Sequence, residues 1–251
     1  MDTGVPPAGP ADVDATAHVF VERLDDDVRV EGEDGHHLAR VRRVRAGETI
    51  TAADGFGRWR VYRVHSNVQG PGVALHAESD IRHETPLQPI LTVACALTKG
   101  ERPELVVQKL TELGVDAVYL VRAARSVVRW DASREAGALD RLRRVAREAA
   151  AQCRRARLPV IDGPMPTGEL RTAAGLLVAD RGGVAATRVP LADTWTVAVG
   201  PEGGWDDAEL LGFGAAPRLS VGPFVLRAET AAIAAAAALA ERRTRSLASP
   251  G

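Results

Sequence analysis

"VAVGPEGGWDDAEL", Val197 to Leu210, opens as an apolar strand, breaks at Gly-Pro-Glu-Gly-Gly and resumes with acidic residues suited to the first turn of a helix. A strand that leaves through a glycine-rich loop into a helix is a unit of a parallel α/β sheet, where ligands sit beyond the carboxyl ends of the strands. A second strand, "RLSVG" (Arg218 to Gly222), runs on into "VGPFVLRAET" (Val221 to Thr230). Two Gly-Pro loops are therefore expected side by side at one edge of the sheet. Gly200, Gly203 and Gly204 can take backbone angles closed to other residues and let a ligand approach the main chain. Either loop alone is more often a tight turn than a binding site; the pairing is the informative feature.

Working outward, the same rhythm fills the second half of the chain. "ILTVACAL" (Ile90 to Leu97), "AVYLV" (Ala117 to Val121), "LLVAD" (Leu176 to Asp180) and "TVAVG" (Thr196 to Gly200) read as buried strands. "ERPELVVQKLTELG" (Glu101 to Gly114) reads as a helix with proline in its first turn and glycine after its last. A longer helix is expected from about Ser133 to Arg155, with Leu139, Leu142, Val145, Ala149 and Cys153 on its apolar stripe and Arg141, Arg144 and Glu148 facing away. A last helix runs through "AETAAIAAAAALAERRTR".

The first half instead carries short β runs: "HVFV", "VRV", "TITAADGFGRWRVYRV" and "GVALHAE", with Asp54-Gly55 as a hairpin signal. These predict a small β-barrel interrupted by one helix over "GHHLARVRRVRAGE", Gly35 to Glu48. The expected organisation is a flexible leader over residues 1–16, the barrel over 17–82, a proline-broken linker over 83–89 and the α/β domain over 90–246.

Composition narrows the function. The 251 residues carry a net charge of -1, yet residues 1–34 hold ten acids and two bases (-8), and the rest 23 acids against 30 bases (+7). Only Lys99 and Lys109 are lysines; the positive charge is almost all arginine, which suits bidentate contacts to phosphate. An acidic start ahead of a basic body hints at a nucleic-acid partner. No apolar run approaches the roughly 18 residues of a membrane helix, and the acidic start is not a signal peptide. A cytoplasmic protein with no membrane partner is expected. Cys95 and Cys153 fit no disulfide framework or zinc spacing, so core thiols and no metal are expected.

All six histidines lie at or before His83, so the α/β half offers no Ser-His-Asp triad, HExxH site or histidine base. GxxxxGK[ST] is absent, and no GxGxxG stands between a strand and a helix. Glu202 and Glu229 are the carboxylates inside the two loops; their plainer reading is helix capping or an ion pair with Arg227. Arg40, Arg42, Arg43 and Arg45 mark the barrel's helix, and Arg125, Arg129, Arg154, Arg155 and Arg157 lie near the other strand ends. For most of these a solvated face is the ordinary explanation. Arg125, at a strand end before Ser126, stands out.

Taken in order, "HHLARVRRVRAGE", "TKGERPELVVQKLTELGVD", "RSVVRWD", "REAAAQCRRARLPVI", "VAVGPEGGWDDAEL" and "VGPFVLRAETAAIAAAAAL" resemble the bacterial small-subunit ribosomal RNA uridine-N3 methyltransferases, the RsmE-type branch of the SPOUT superfamily. The similarity runs from about Ala17 through nearly the whole chain. It implies a PUA-like RNA-binding barrel and a SPOUT α/β methyltransferase domain closed by a C-terminal trefoil knot, a threading that ordinary topology rules disfavour. It also implies S-adenosylmethionine as cofactor, a homodimer, and 16S ribosomal RNA within the small subunit as substrate.

The resemblance assigns the cofactor to Leu177, Val178, Val199, Gly200, Pro201, Glu202, Gly203, Gly204, Val221, Gly222, Pro223 and Leu226. For chemistry, Arg227 or Arg125 would stabilise the developing uracil anion, and Glu202 or Glu229 would position groups or take the imide proton. Arg40, Arg43, Lys99, Arg125, Gln152 and Arg155 are the RNA-facing candidates. "VGPFVL" and "WDD" depart from the commoner family residues conservatively; the leader has no family counterpart. Competing readings are a SPOUT enzyme acting on transfer RNA or another ribosomal position, a non-catalytic RNA-binding protein, and a dinucleotide oxidoreductase, which lacks its phosphate fingerprint.

Overall fold

The computed structural model describes residues 9–65, 72–97, 102–128, 130 and 132–248. Two compact units emerge: Met1–Pro86 with Arg147–Leu158, and Leu87–Ala146 with Pro159–Gly251. The division at Pro86 falls inside the expected linker, but the segment Arg147–Leu158 is grouped with the first unit rather than with the α/β half.

The first unit contains β1 (Ala17–Phe20), β2 (Asp27–Val30), α1 (Gly32–His36), β3 (Thr49–Ala53), β4 (Arg58–Val64), β5 (Val73–Ala77) and β6 (Arg82–His83). They form one sheet in the order β1-β3-β4-β5-β2, with β6 also on β4; β1 lies parallel to β3 and the other pairs are antiparallel. Ile50, Tyr62, Val73, Leu75 and Leu38 pack at its centre. Asp54-Gly55 does turn the chain between β3 and β4, with Asp54 Oδ1 accepting from the Phe56 and Arg58 amides and Gly55 at φ 85°.

The helix expected over Gly35 to Glu48 is displaced. α1 begins at Gly32 and widens into a π-type turn over His37–Arg42; Arg43 then adopts φ 52° and ends it. Arginine repeats gave no stop signal there, so the sequence reading ran too long. Residues 9–16, read as part of a flexible leader, are held in place: Pro10 and Ala15 are buried, and Arg154 donates to the carbonyls of Val13 and Ala15 at 2.9 and 2.5 Å. Residues 1–8 lie outside the described residues.

The second unit supplies β7 (Ile90–Ala96), α2 (Arg102–Glu112), β8 (Ala117–Arg122), α3 (Ala132–Cys153, its end in the first unit), β9 (Val160–Pro166), β10 (Leu176–Val184), β11 (Thr194–Val199), α4 (Asp207–Gly212), β12 (Arg218–Leu219) and α5 (Ala228–Ala248). Its sheet runs β12-β10-β11-β7-β8-β9, every pair parallel. A sheet buried on both faces needs strands apolar at every position, which explains "ILTVACA" and "TVAV". Leu91, Val93, Cys95, Val197 and Val199 face a core completed by Val106, Leu110, Leu142, Ala232 and Ala236; Ala94, Ala96 and Ala198 face Leu170, Trp205 and Phe213. The alanines of α5 let it lie close against β7 and β11.

Two strand readings change. β9, "VIDGPMP", is a strand absent from the sequence reading; it holds glycine and two prolines and lies at the sheet edge, where proline costs no ladder bond. β12 is only two residues long, and β10 stands between it and β11, so the two Gly-Pro loops leave strands that are not neighbours. Near the end of α5 the buried Arg243 donates to Gly114 O (2.7 Å), Pro89 O (3.3 Å) and Asp116 Oδ2 (2.9 Å), fastening that helix to the starts of β7 and β8.

Candidate active site

The loop after β11 uses its glycines in two ways, for backbone angle and for space. Of the three, only Gly204 uses the freedom of angle that glycine allows, at φ 70°. Gly200 is needed for space, since a β-carbon would stand 3.1 Å from the Trp205 indole, and a β-carbon on Gly203 would meet Arg125 Cβ at 3.3 Å. Pro201 is buried and its carbonyl accepts from the Gly204 amide at 2.8 Å, while Glu202, Gly203 and Gly204 are exposed. Trp205 packs edge-on against Phe213, and its Nε1 is buried with no hydrogen-bond partner among the described residues, leaving a donor beside Gly200.

After the loop, Asp206 caps α4: its Oδ1 accepts from the Glu209 amide at 2.7 Å, and Glu209 Oε2 accepts from the Asp206 amide at 2.9 Å. The other oxygen of Glu209 accepts from the Ala124 amide at 2.8 Å, in the loop that follows β8. The acidic residues suit the first turn of a helix in sequence, but this longer reach of Glu209 has no local signal.

Of the catalytic candidates, Arg125 is brought onto the glycine loop, its Nη1 donating to Gly203 O at 3.1 Å. Glu202 sits in that same loop. Arg227 is exposed just before α5, and its carbonyl accepts from Ala231. Glu229 lines a small pocket with Cys95, Ala96, Pro103, Val106, Leu120 and Ala228, at the end of β7. Burial pushes the Cys95 thiol up to about 12, which removes it as a nucleophile.

The cofactor candidates divide in the same way. Leu177, Val178 and Val199 are core residues whose side chains are committed to packing, so only their main chain could serve a ligand. Val221, Gly222 and Leu226 are half-buried and Pro223 exposed; a β-carbon on Gly222 or Gly204 would meet nothing within 4 Å. Open space at two glycines and an unanswered indole N–H fit a polar ligand lying on these loops.

Among the RNA-facing candidates of the first unit, Arg40, Arg43 and Gln152 are exposed. Arg155 is half-buried, and its carbonyl accepts from His18 Nε2 at 3.1 Å. Arg154 is spent on the Val13 and Ala15 carbonyls, and Arg157 on Glu84 O while its guanidinium lies over Gly57. Both are structural. Lys99 and Arg129 lie outside the described residues. Among the described residues no group of three or more His, Cys, Asp or Glu could hold a metal, and no helix is long and apolar enough to cross a membrane.

Comparison with known proteins falls on this frame. A family profile described as an RNA methyltransferase domain matches residues 83–240, and one described as an RNA methyltransferase PUA domain matches residues 30–66. The chain is 39% identical over 224 residues to the ribosomal RNA small subunit methyltransferase E of Mycobacterium bovis, covering 84% of each. A structure from Legionella pneumophila, described as a methyltransferase with the bound cofactor SAM, superposes with a TM-score of 0.79 at 26% identity, covering 90% of this chain and 97% of that one. The ribosomal RNA small subunit methyltransferase E of Neisseria gonorrhoeae, bound to S-adenosyl methionine, gives 0.77 at 24% identity, covering 90% of this chain and 97% of its own.

Proposed function

The chain belongs to the RNA methyltransferase family represented by ribosomal RNA small subunit methyltransferase E, and from that premise we propose that it methylates N3 of a uridine in 16S ribosomal RNA, with S-adenosylmethionine as the donor. The observation that carries the site is the meeting of Arg125 with Gly203, which puts a cation at the rim of a glycine loop beyond the carboxyl end of a parallel strand.

The main chain of Gly200–Gly204 and of Val221–Leu226 would hold the cofactor, with Trp205 Nε1 as a further donor. When bound, S-adenosylmethionine supplies an electrophilic methyl group. The chain's own residues must then prepare uracil, whose N3 carries an imide proton at neutral pH. Arg125 stabilises the anion that forms as this proton leaves, by charge-assisted hydrogen bonds to the ring carbonyls. Glu202, exposed in the same loop, takes the proton. Arg227 and Glu229 are the alternative pair at the neighbouring loop.

A PUA-like barrel over residues 17–82 is supported by the mixed six-stranded sheet and by the PUA profile over residues 30–66. A trefoil knot within residues 90–246 is supported by α5, which returns from edge strand β12 to pack on the central strands β7 and β11. A homodimer is supported by Phe224 and Val225, 77% and 82% exposed and adjacent, an apolar pair that a second copy would cover. RNA contact through Arg40, Arg43, Lys99, Arg125, Gln152 and Arg155, and action in the cytoplasm, complete the reading.

The test is transfer of labelled methyl to purified small ribosomal subunits, followed by nucleoside analysis. Label in 3-methyluridine from 16S RNA is expected. Label in transfer RNA or another nucleoside would overturn the substrate, and cofactor binding without transfer would leave an RNA-binding protein.

A further inference from the structure

We propose that Glu209 is a positioning residue, fixing the loop that carries Arg125 to the loop that holds the cofactor; this rests on the function proposed above. Glu209 is 9% exposed, and both its oxygens are occupied by main-chain amides. The bond from the Asp206 amide, with the reciprocal Glu209 amide to Asp206, is a capping box and needs nothing else. The bond from the Ala124 amide lies outside that motif and spans 85 residues of sequence.

Its geometry matters because β8 and β11 are not neighbours. β7 stands between them, so no ladder hydrogen bond sets the distance between their terminal loops. Two contacts set it instead. One is the buried carboxylate on the Ala124 amide; the other is Arg125 Nη1 on Gly203 O, with Arg125 Cβ filling the space left by Gly203. The guanidinium contact is exposed and neutral at its acceptor, so it cannot by itself hold a flexible arginine. A buried carboxylate on an amide is charge-assisted and stronger. Ser126 N on Ala123 O closes the same short loop into a turn, so fixing Ala124 fixes the backbone from which Arg125 projects. Glu209 thus acts on the reaction through Arg125, without touching substrate.

The experiment compares Glu209→Ala, Arg125→Ala and their double variant, with Asp206→Ala as the control that removes the cap but leaves the Ala124 bond. Turnover, KM for small subunits and calorimetric Kd for S-adenosylmethionine are measured for each. Glu209→Ala is expected to lower kcat about a hundredfold, the scale of a misplacement of about 1 Å, while Kd for the cofactor moves less than about threefold. In the Arg125→Ala background it should add less than about threefold. Glu209→Gln, which retains an acceptor for the Ala124 amide, should recover part of the loss, and it carries the same cycle if the alanine variant does not fold. Additive losses in an active enzyme, or an equal loss from Asp206→Ala, overturn the positioning role alone. A wild type with no turnover on small subunits overturns the function reading and this inference together.

Discussion

Lowering the pH should loosen the first unit through His18. The ring is 5% exposed; its Nε2 faces the Arg155 carbonyl at 3.1 Å, which can only accept, so Nε2 carries the proton. Nδ1 therefore accepts from the Thr51 hydroxyl at 2.8 Å, and the neutral ring is fully satisfied. Burial holds its pKa at about 4, below the ordinary 6.5; the Arg155 carbonyl partly offsets this, and the nearby Arg154 adds to it. The unfolded chain then binds a proton first as pH falls. The stability that His18 contributes is complete above about pH 6.5 and is lost between there and about pH 4. With about 1.4 kcal/mol per pKa unit, the loss is about 1.4 kcal/mol at pH 5.5 and about 2.5 kcal/mol at pH 4.5. Urea unfolding of the wild type and of His18→Leu, followed from pH 7.5 to 4.5, isolates this share. The variant is less stable at pH 7.5, because Thr51 and the Arg155 carbonyl lose their partner, and the gap should narrow by about that amount at low pH. A gap that stays constant across the range would show that the ring is solvated in the folded protein, and one that widens at low pH that it is already charged there.

Other substitutions test other parts of the fold and site. Arg243→Ala removes the buried guanidinium from Asp116 and from the Gly114 and Pro89 carbonyls and should cost about 3–5 kcal/mol in chemical denaturation; a change under about 1 kcal/mol would refute the fastening role. Gly200→Ala pushes a methyl to 3.1 Å from the Trp205 indole, and about 1–3 kcal/mol of overpacking should weaken S-adenosylmethionine binding about tenfold or more by calorimetry. Unaltered affinity would remove Gly200 from the site. Native Cys95 should resist iodoacetamide at pH 8.5 and react only after unfolding, as mass spectrometry of the labelled peptide would read; native labelling would contradict its burial.

Sequence and structure divide along the range of the forces involved. Helix stops, hairpins and apolar periods are written in residues a few positions apart, so Pro103 and Gly114 bracketing α2, Asp54-Gly55 turning β3 into β4, and the apolar β7 and β11 were all legible. The motifs around Gly200–Gly204 and Leu226–Thr230 also carried the family resemblance, because a loop's composition is local. Tertiary structure alone decided what depends on partners distant in the chain. Pro164 and Pro166 are tolerated in β9 because that strand is an edge, and β10 separates the two Gly-Pro loops because strand order is set by packing. Arg154 and Arg157 look like phosphate ligands in sequence yet are consumed by carbonyls of residues more than seventy positions away. Glu209 reads as an ordinary cap until the fold brings the Ala124 amide to its second oxygen. Hydrogen bonds over such separations form only after the sheet has chosen its neighbours, and no window of sequence contains both ends.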